Sequence, residues 1–179
     1  MKSTGIVRRI DELGRIVIPK EIRKTLRIKE GDYFEIISKE GDLSLRKYSL
    51  LGGIEQFAKA ITESARELFN QCLIITDTDK VLALSCDKKT GLFGESISKS
   101  LMEKLEERRE IIVGANSREI AFDLFATKNP FLSFAVCPIL LNGDVYGSVI
   151  LANEGDNQKI SYEGLNLIRL VASVLGRCI

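Results

Sequence analysis

Short apolar runs separated by turn residues occupy the start of the chain. Residues 6–10 and 15–18 are rich in isoleucine and valine, which favour extended strands. These runs flank the sequence Asp11-Glu12-Leu13-Gly14, whose glycine can adopt the positive φ that a tight turn requires. The pattern predicts a β-hairpin.

A short helix and a second hairpin follow. Pro19 suits the first turn of a helix, and Ile22 and Leu26, four residues apart, give that helix one apolar edge. Residues 33–37 and 43–47 then predict two more strands, with turn residues between them at Glu40-Gly41-Asp42. Because a module of fewer than about 50 residues without disulfides or metal ligands buries little surface, we expect it to dimerise.

The spacing of apolar residues changes after the Gly52-Gly53 pair. Residues 54–70 have apolar side chains at the helical period, namely Ile54, Phe57, Ala58, Ile61, Ala65, Leu68 and Phe69. Two strands are predicted at 72–76 and 81–84, and a second helical pattern runs through Ile97, Leu101 and Leu105. The remaining strand candidates are residues 111–113, 120–125, 133–141 and 145–152.

The end of the chain adds a hairpin and a helix. Asn142-Gly143 between apolar runs is a strong hairpin signal. Ser161 can cap a final helix whose apolar face comprises Leu165, Ile168, Val171, Ala172 and Leu175. The larger unit is therefore predicted to be α+β, with an antiparallel sheet and a helix at each end of its sequence. We expect these helices, residues 54–70 and 161–177, to associate across subunits.

Charge is distributed unevenly along the chain. Residues 1–29 contain nine basic and three acidic residues, a local charge of +6, so a whole-chain charge of +1 leaves about −5 for the rest. The bases are Lys2, Arg8, Arg9, Arg15, Lys20, Arg23, Lys24, Arg27 and Lys29. Such asymmetry is typical of nucleic-acid-binding proteins, because arginine contacts both phosphates and guanine edges. The alternative is an ordinary solvated charged face.

The composition argues against several other classes of protein. The sequence has no histidine, so the usual general base and the usual metal ligand are missing. Its four cysteines lack CxxC spacing, and we expect reduced, mostly buried thiols at Cys72, Cys86, Cys137 and Cys178. No apolar run approaches the roughly 18 residues that span a bilayer. We therefore predict no cofactor, no metal and no membrane association.

Weaker candidates have an ordinary structural explanation beside a functional one. Asp77 and Asp79 either bind a cation or form a turn between strands. Cys86, followed by an aspartate and two lysines, is either a reactive thiol or a passive one. Four phenylalanines either line a pocket or belong to the core, and these are Phe122, Phe125, Phe131 and Phe134.

One known family matches the run from Met1 to Leu26, which includes Arg8-Arg9-Ile10-Asp11-Glu12-Leu13-Gly14-Arg15-Ile16-Val17-Ile18-Pro19, and the match continues through Gly31-Asp32 to Leu45-Arg46-Lys47-Tyr48. Through these residues the first 48 residues resemble the AbrB-type swapped-hairpin transition-state regulators. The resemblance implies a β-barrel formed by two interleaved chains, with double-stranded DNA as the partner. By position it implies DNA contacts from Arg8, Arg15, Arg23 and Lys24; the family often has arginine where Lys24 stands here.

The remainder of the chain is similar to a GAF sensor domain. The similarity lies in the order of elements and in the hairpin of residues 138–153, Pro-Ile-Leu-Leu-Asn-Gly-Asp-Val-Tyr-Gly-Ser-Val-Ile-Leu-Ala-Asn. Joined to an AbrB-type module, this layout resembles the sporulation regulators of spore-forming Firmicutes. It implies a DNA-binding domain at residues 1–50, a linker helix at 51–70, and a sensor and oligomerisation domain at 71–179.

The resemblance also implies how such a protein acts. We expect a cytoplasmic, nucleoid-associated homotetramer that both activates and represses genes, with an unknown small molecule as a possible effector. Three alternatives remain open. They are an antitoxin-like autorepressor that binds a protein toxin, an enzyme in the C-terminal domain, and a redox sensor that uses Cys86.

Overall fold

The computed structural model describes residues 5–69, 72–86, 91–115, 117–127, 130–154 and 159–179. The chain divides into two units, Met1–Tyr48 and Ser49–Ile179. Within the described ranges, none of the helices combines the length and apolar character needed to cross a bilayer.

The first unit contains the predicted short helix and the predicted second hairpin. Helix α1 spans Lys20–Thr25, directly after Pro19, whose φ of −57° already suits a helix start. Strands β1, Phe34–Lys39, and β2, Asp42–Lys47, pair antiparallel from Phe34 opposite Lys47 to Lys39 opposite Asp42. Glu40 and Gly41 between them both have positive φ, the conformation of a two-residue turn that matches the twist of its strands.

The first predicted hairpin is present only as a turn. The Gly14 N–H donates to Asp11 O (2.9 Å), and Gly14 has a φ of +75°. The strands predicted at residues 6–10 and 15–18 are wrong for the single chain, because neither segment joins a strand ladder among the described residues. Most of their apolar side chains are exposed, Val7 by 89%. Strands need a backbone partner, and one copy of the chain does not supply it.

The described part of the second unit has a five-stranded antiparallel sheet of order β4-β3-β7-β6-β5. The strands are β3 Cys72–Asp77, β4 Val81–Leu84, β5 Ile111–Val113, β6 Phe134–Leu141 and β7 Asp144–Ala152. The β6–β7 hairpin turns at Asn142 and Gly143, both at positive φ, which confirms the Asn-Gly signal.

Two helices pack on one face of this sheet. After a short 3-10 helix, Leu50–Ile54, helix α2 spans Glu55–Phe69 and contacts β3 and β4. The final helix, α4, spans Tyr162–Cys178 and contacts β6 and β7. A shorter helix, α3, spans Lys99–Leu105 and precedes it in the chain. Ser161 caps α4 as predicted, accepting the Gly164 N–H at 3.0 Å.

Helix α3 and the loops cover the opposite face. Ser98 caps α3 by accepting the Leu101 N–H at 2.8 Å. The phenylalanines belong to this core, since Phe125, Phe131 and Phe134 are buried and Phe122 packs edge-on against Phe134 with ring centroids 5.3 Å apart. Of the two interpretations of these phenylalanines, pocket lining or core, the structure supports the core.

The strand predicted at residues 120–125 is wrong. Ile120 is exposed, whereas the neighbours Leu124 and Phe125 are both buried, and a half-buried strand alternates instead. The segment is a loop that makes one isolated bridge, from Phe125 to Ile97. Its aromatic composition reflects packing against the core rather than sheet pairing.

The expectation of four reduced thiols is also wrong. Cys72 and Cys86 form a disulfide, whereas Cys137 is free and half-buried and Cys178 is free and exposed. Spacing along the chain could not reveal this bond, because the antiparallel pairing of β3 and β4 brings the two cysteines together.

Candidate nucleic-acid interface

The hairpin turn of the first unit is built around one carboxylate. Asp11 Oδ1 accepts the backbone N–H groups of Leu13 (3.0 Å) and Arg15 (2.8 Å). Its other oxygen, Oδ2, accepts Arg15 Nε at 2.7 Å. The Asp11 carboxylate therefore stabilises the turn through the backbone and also binds the Arg15 side chain.

These bonds keep Asp11 ionised. The backbone N–H of Arg15, and secondly its guanidinium, lower the pKa of the Asp11 carboxyl below the ordinary 3.8. Arg15 is 71% exposed despite the pairing, so its guanidinium remains accessible to a ligand. The same residue pair thus shapes the turn and presents a cation at its surface.

The other predicted DNA contacts lie exposed on the same unit. Arg8 precedes the turn, and Arg23 and Lys24 occupy the last turn of α1, where positive charge suits the helix dipole. Among the described residues, no acidic side chain pairs with Arg8, Arg23 or Lys24. Their charges are therefore available to an external anion.

Helix α1 ends sharply, which positions its basic residues. Arg27 adopts a φ of +54°, and the Ile28 N–H donates to Arg23 O at 2.8 Å across the helix end. This is the hydrogen bond of a Schellman-type terminus, normally made with glycine in place of Arg27. Arg23 is thus held through its backbone while its side chain is exposed.

The sequence prediction missed the role of Asp11. An aspartate at the start of a turn often accepts backbone N–H groups two residues further on, and that signal was available. Arg9 belongs to the basic cluster but is not one of the predicted DNA contacts, and it lines a cleft of about 520 Å³ at the turn with Asp11 and Arg15.

The second unit offers a separate cleft at the β5 edge of its sheet. The cleft measures about 490 Å³, and its lining includes Arg109, Glu110, Arg118, Glu119 and Lys159. Arg109 Nη2 pairs with Glu119 at 2.6 Å, and this hydrogen bond is the main reason that the pKa of the Glu119 carboxyl is lowered. Much of the cleft's charge is therefore engaged within the protein.

Of the two aspartates considered as cation ligands, Asp77 forms the turn between β3 and β4. Asp77 is buried and its Oδ1 accepts the N–H groups of Asp79 and Lys80, each at 2.7 Å, which is the predicted turn. The acidic and basic residues that follow Cys86 lie outside the described residues.

Comparisons with protein families divide the chain as the fold does. Residues 53–179 match the family described as "Stage V sporulation protein T C-terminal, transcription factor". Residues 7–50 match the family described as "Antidote-toxin recognition MazE, bacterial antitoxin".

Individual relatives agree with the family matches. Stage V sporulation protein T of Bacillus subtilis is 39% identical over 153 residues, which cover 84% of each chain. The transition state regulatory protein AbrB of the same organism is 58% identical over 48 residues, 27% of this chain and 50% of that protein.

Solved structures resemble the second unit in fold. A methyl-accepting chemotaxis protein fragment, residues 122 to 287, has a TM-score of 0.57 at 14% identity and covers 70% of this chain and 87% of that chain. The GAF domain of an Acinetobacter phosphoenolpyruvate-protein phosphotransferase also scores 0.57, at 13% identity, covering 70% and 81%. At these identities the likeness concerns the fold alone.

Proposed function

Because the chain belongs to the stage V sporulation protein T family, we propose that it regulates sporulation genes by gripping duplex DNA through Arg8, Arg15, Arg23 and Lys24. It is a sporulation transcription regulator with an AbrB-like N-terminal domain and a GAF-like C-terminal domain. The observation that carries this proposal is that all four bases are exposed: Arg8, Arg23 and Lys24 have no acidic partner among the described residues, and Arg15 stays accessible beside Asp11.

The first unit is suited to act as a dimer. Many of its apolar side chains are exposed, and helix α1 has no buried residue. Exposing so many apolar groups in water is unfavourable, so a second copy that covers them would stabilise the unit. In that arrangement the hairpin arms gain partner strands, and the basic residues of two chains form one DNA surface.

Exposed apolar residues on two helices of the second unit support a tetramer. Helix α2 buries Ala58, Thr62 and Ala65 but exposes Phe57 and Leu68 on a neighbouring stripe. On helix α4, Leu170 is exposed and lies on the side opposite the buried face of the helix. The half-buried Leu167 and Val174 lie three residues before and four residues after Leu170, so the three side chains form one stripe. We place the contact between dimers on these two stripes, where four helices can form a bundle.

The finer organisation follows the same scheme. We assign DNA binding to residues 1–50, the linker helix to 51–70, and sensing and oligomerisation to 71–179. A small-molecule effector of the C-terminal domain would act by changing the packing of α2 and α4, and the protein would work in the cytoplasm at the nucleoid as an activator and a repressor.

The test is a set of charge-neutral substitutions. A duplex is first selected by the full-length protein from a random-sequence pool, and its dissociation constant is then measured for Arg8→Gln, Arg15→Gln, Arg23→Gln and Lys24→Gln. Each change should weaken binding about tenfold. Lys99→Gln, an exposed lysine on α3, is the matched control and should bind like the wild type. Unchanged affinity in all four variants would refute the proposed DNA contacts.

The antitoxin alternative rests on one observation, the match of residues 7–50 to the MazE family. Copurification of a small toxic protein with the full chain, together with its release by DNA, would favour that function. We propose no catalytic role for the C-terminal domain. Turnover of a nucleotide or metabolite that is abolished by a substitution in that domain would contradict this.

A further inference from the structure

Cys72 and Cys86 face each other across two neighbouring strands. Cys72 begins β3, and Cys86 lies two residues beyond the end of β4. Their Cα atoms are 4.5 Å apart and their sulfurs are bonded. Cys72 is fully buried, whereas Cys86 is only partly buried, so Cys86 is the more accessible residue of the pair.

The sheet itself holds the two cysteines at this spacing. The Ser85 N–H donates to Leu73 O (2.9 Å), and the Leu73 N–H donates to Ser85 Oγ (3.1 Å), so the strands run side by side past the end of β4. Facing residues of a non-hydrogen-bonded antiparallel pair have Cα atoms about 4.5 Å apart with or without a disulfide. The bond can therefore open and close while the backbone stays in place.

An ion pair connects this site to helix α2. Arg66, in the last turn of α2, pairs with Glu154, two residues beyond β7. One carboxylate oxygen of Glu154 and the two sulfurs lie within 4.8 Å of one another. The guanidinium beside that carboxylate disfavours a metal cation there, and bonded sulfurs are poor metal ligands. The group is better suited to thiol chemistry than to metal binding.

The other cysteines lack such an arrangement. Burial, and secondly the Glu110 carboxylate, raise the pKa of the Cys137 thiol to about 11, which keeps it protonated and unreactive. Cys178 is exposed at the last residue of α4. These two cysteines therefore provide internal controls.

We propose that Cys72 and Cys86 are a reversible thiol–disulfide site through which oxidation controls the C-terminal domain. The oxidant is hydrogen peroxide and the reductant is a dithiol. The half-buried Cys86 attacks peroxide as a thiolate, forming a sulfenic acid and releasing hydroxide, which takes up a proton to become water. The Cys72 thiol then displaces a second water, so two thiols and one peroxide give one disulfide and two waters. A dithiol reverses this by exchange.

The signal would reach DNA through α2. The bond joins the start of β3, just after α2 in the chain, to the end of β4, on which α2 packs. The two cysteines pack in the core on the α3 face of the sheet, whereas α2 packs on the other face of the same strands. The bond would therefore act on α2 through β3 and β4 and through the Arg66–Glu154 pair. This regulatory part of the proposal rests on the proposed function, because it requires the N-terminal unit to bind DNA.

The experiment measures thiols and DNA affinity separately on the full-length protein. The protein is reduced with dithiothreitol, exposed to peroxide and reduced again, and thiols are counted by alkylation and mass spectrometry. The wild type, Cys137→Ser and Cys178→Ser should each lose two thiols reversibly, and a peptide map should locate the bond between Cys72 and Cys86. Cys72→Ser and Cys86→Ser should not form this bond.

The thermal stability and the DNA affinity of the two redox forms then show what the disulfide does. Oxidation should raise the midpoint of thermal unfolding by several degrees, about 6 to 12 °C from the size of the closed loop. The dissociation constant for the selected duplex should differ about fivefold or more between the two redox forms of the wild type. It should be the same under both conditions in the Cys72→Ser and Cys86→Ser variants.

The outcomes distinguish the possible failures. If no bond forms, or if dithiol does not reopen it, the redox site is refuted whatever the DNA data show. A reversible bond with equal affinity in both redox forms refutes regulation through it. Reversible thiol chemistry with no DNA binding in either form refutes the proposed function and the regulation that rests on it, while supporting the redox site itself.

Discussion

A single carboxylate at the hairpin turn illustrates how a structural residue and a binding residue depend on each other. Asp11 accepts two backbone N–H groups and the Arg15 side chain, and Arg15 is one of the proposed DNA contacts. Because the pair is exposed, water and salt weaken the ionic part of the interaction. A phosphate can therefore compete for Arg15 while the backbone bonds keep the turn closed.

The titration of Asp11 should reveal this pairing. Its pKa is lowered in the folded protein, so its contribution to stability is present above the ordinary value of 3.8 and is lost as the pH falls through the folded value. Arg15→Ala removes the side-chain bond but keeps the backbone bond, and should raise the pKa of Asp11 part of the way toward 3.8. Carbon-detected NMR of the carboxyl measures this, with Arg8→Ala as the control. An equal rise in both variants would contradict the pairing.

Gly147 in β7 lies where the core leaves no room for a larger side chain. A Cβ built on Gly147 would collide with the Thr76 carbonyl oxygen and lie 2.8 Å from Leu51 Cδ1. Gly147→Ala should therefore reduce the free energy of unfolding by about 1–3 kcal/mol, measured by urea denaturation. Gly53→Ala, where an added Cβ meets nothing within 4 Å, should change it little. Equal losses in the two variants would show that the close approach is not what requires glycine.

At the scale of elements, the sequence predicted those that a single chain can complete. Local chemistry predicts three of the strands, at residues 72–76, 81–84 and 111–113, and both hairpins that have glycine-containing two-residue turns. It also predicts the cap at Ser161, whereas the similar cap at Ser98 is not predicted. Residues 6–18 read as strands because their side chains favour strands, yet their pairing depends on another backbone.

The site was predictable to a similar extent. Charge alone indicates the basic cluster, and the resemblance to AbrB-type regulators selects the four proposed contacts from it, but the carboxylate that orients Arg15 required the turn geometry. The bond between Cys72 and Cys86 depends on strand register, which spacing along the chain does not encode. The apolar stripe predicted on the first long helix proved to be two stripes, because Ala58 and Ala65 face the sheet while Leu68 is exposed.

For the whole molecule, exposed apolar surface is what favours assembly. The proposed contact between dimers uses Leu68, which is 77% exposed, and Leu170, which is 64% exposed. Leu68→Glu and Leu170→Glu each place charges in that contact, and together they should convert a tetramer into dimers in light-scattering chromatography. Leu132→Glu, equally exposed at 64% but on neither helix, is the control. A tetramer that survives the double substitution would place the contact elsewhere.

Assembly and charge combine in the dependence of DNA binding on salt. A dimer that offers four basic residues per chain makes eight phosphate contacts, and each contact releases about 0.9 counterion from B-form DNA. The logarithm of affinity should then fall against the logarithm of salt concentration with a slope near −7. Because each substitution removes two contacts per dimer, Lys24→Gln should reduce the slope by about 1.8. Lys99→Gln should leave it unchanged, since that exposed lysine belongs to α3 of the second unit and is not one of the proposed contacts. Fluorescence anisotropy over a salt series measures all three slopes, and a wild-type slope near zero would mean that these bases do not grip the phosphates.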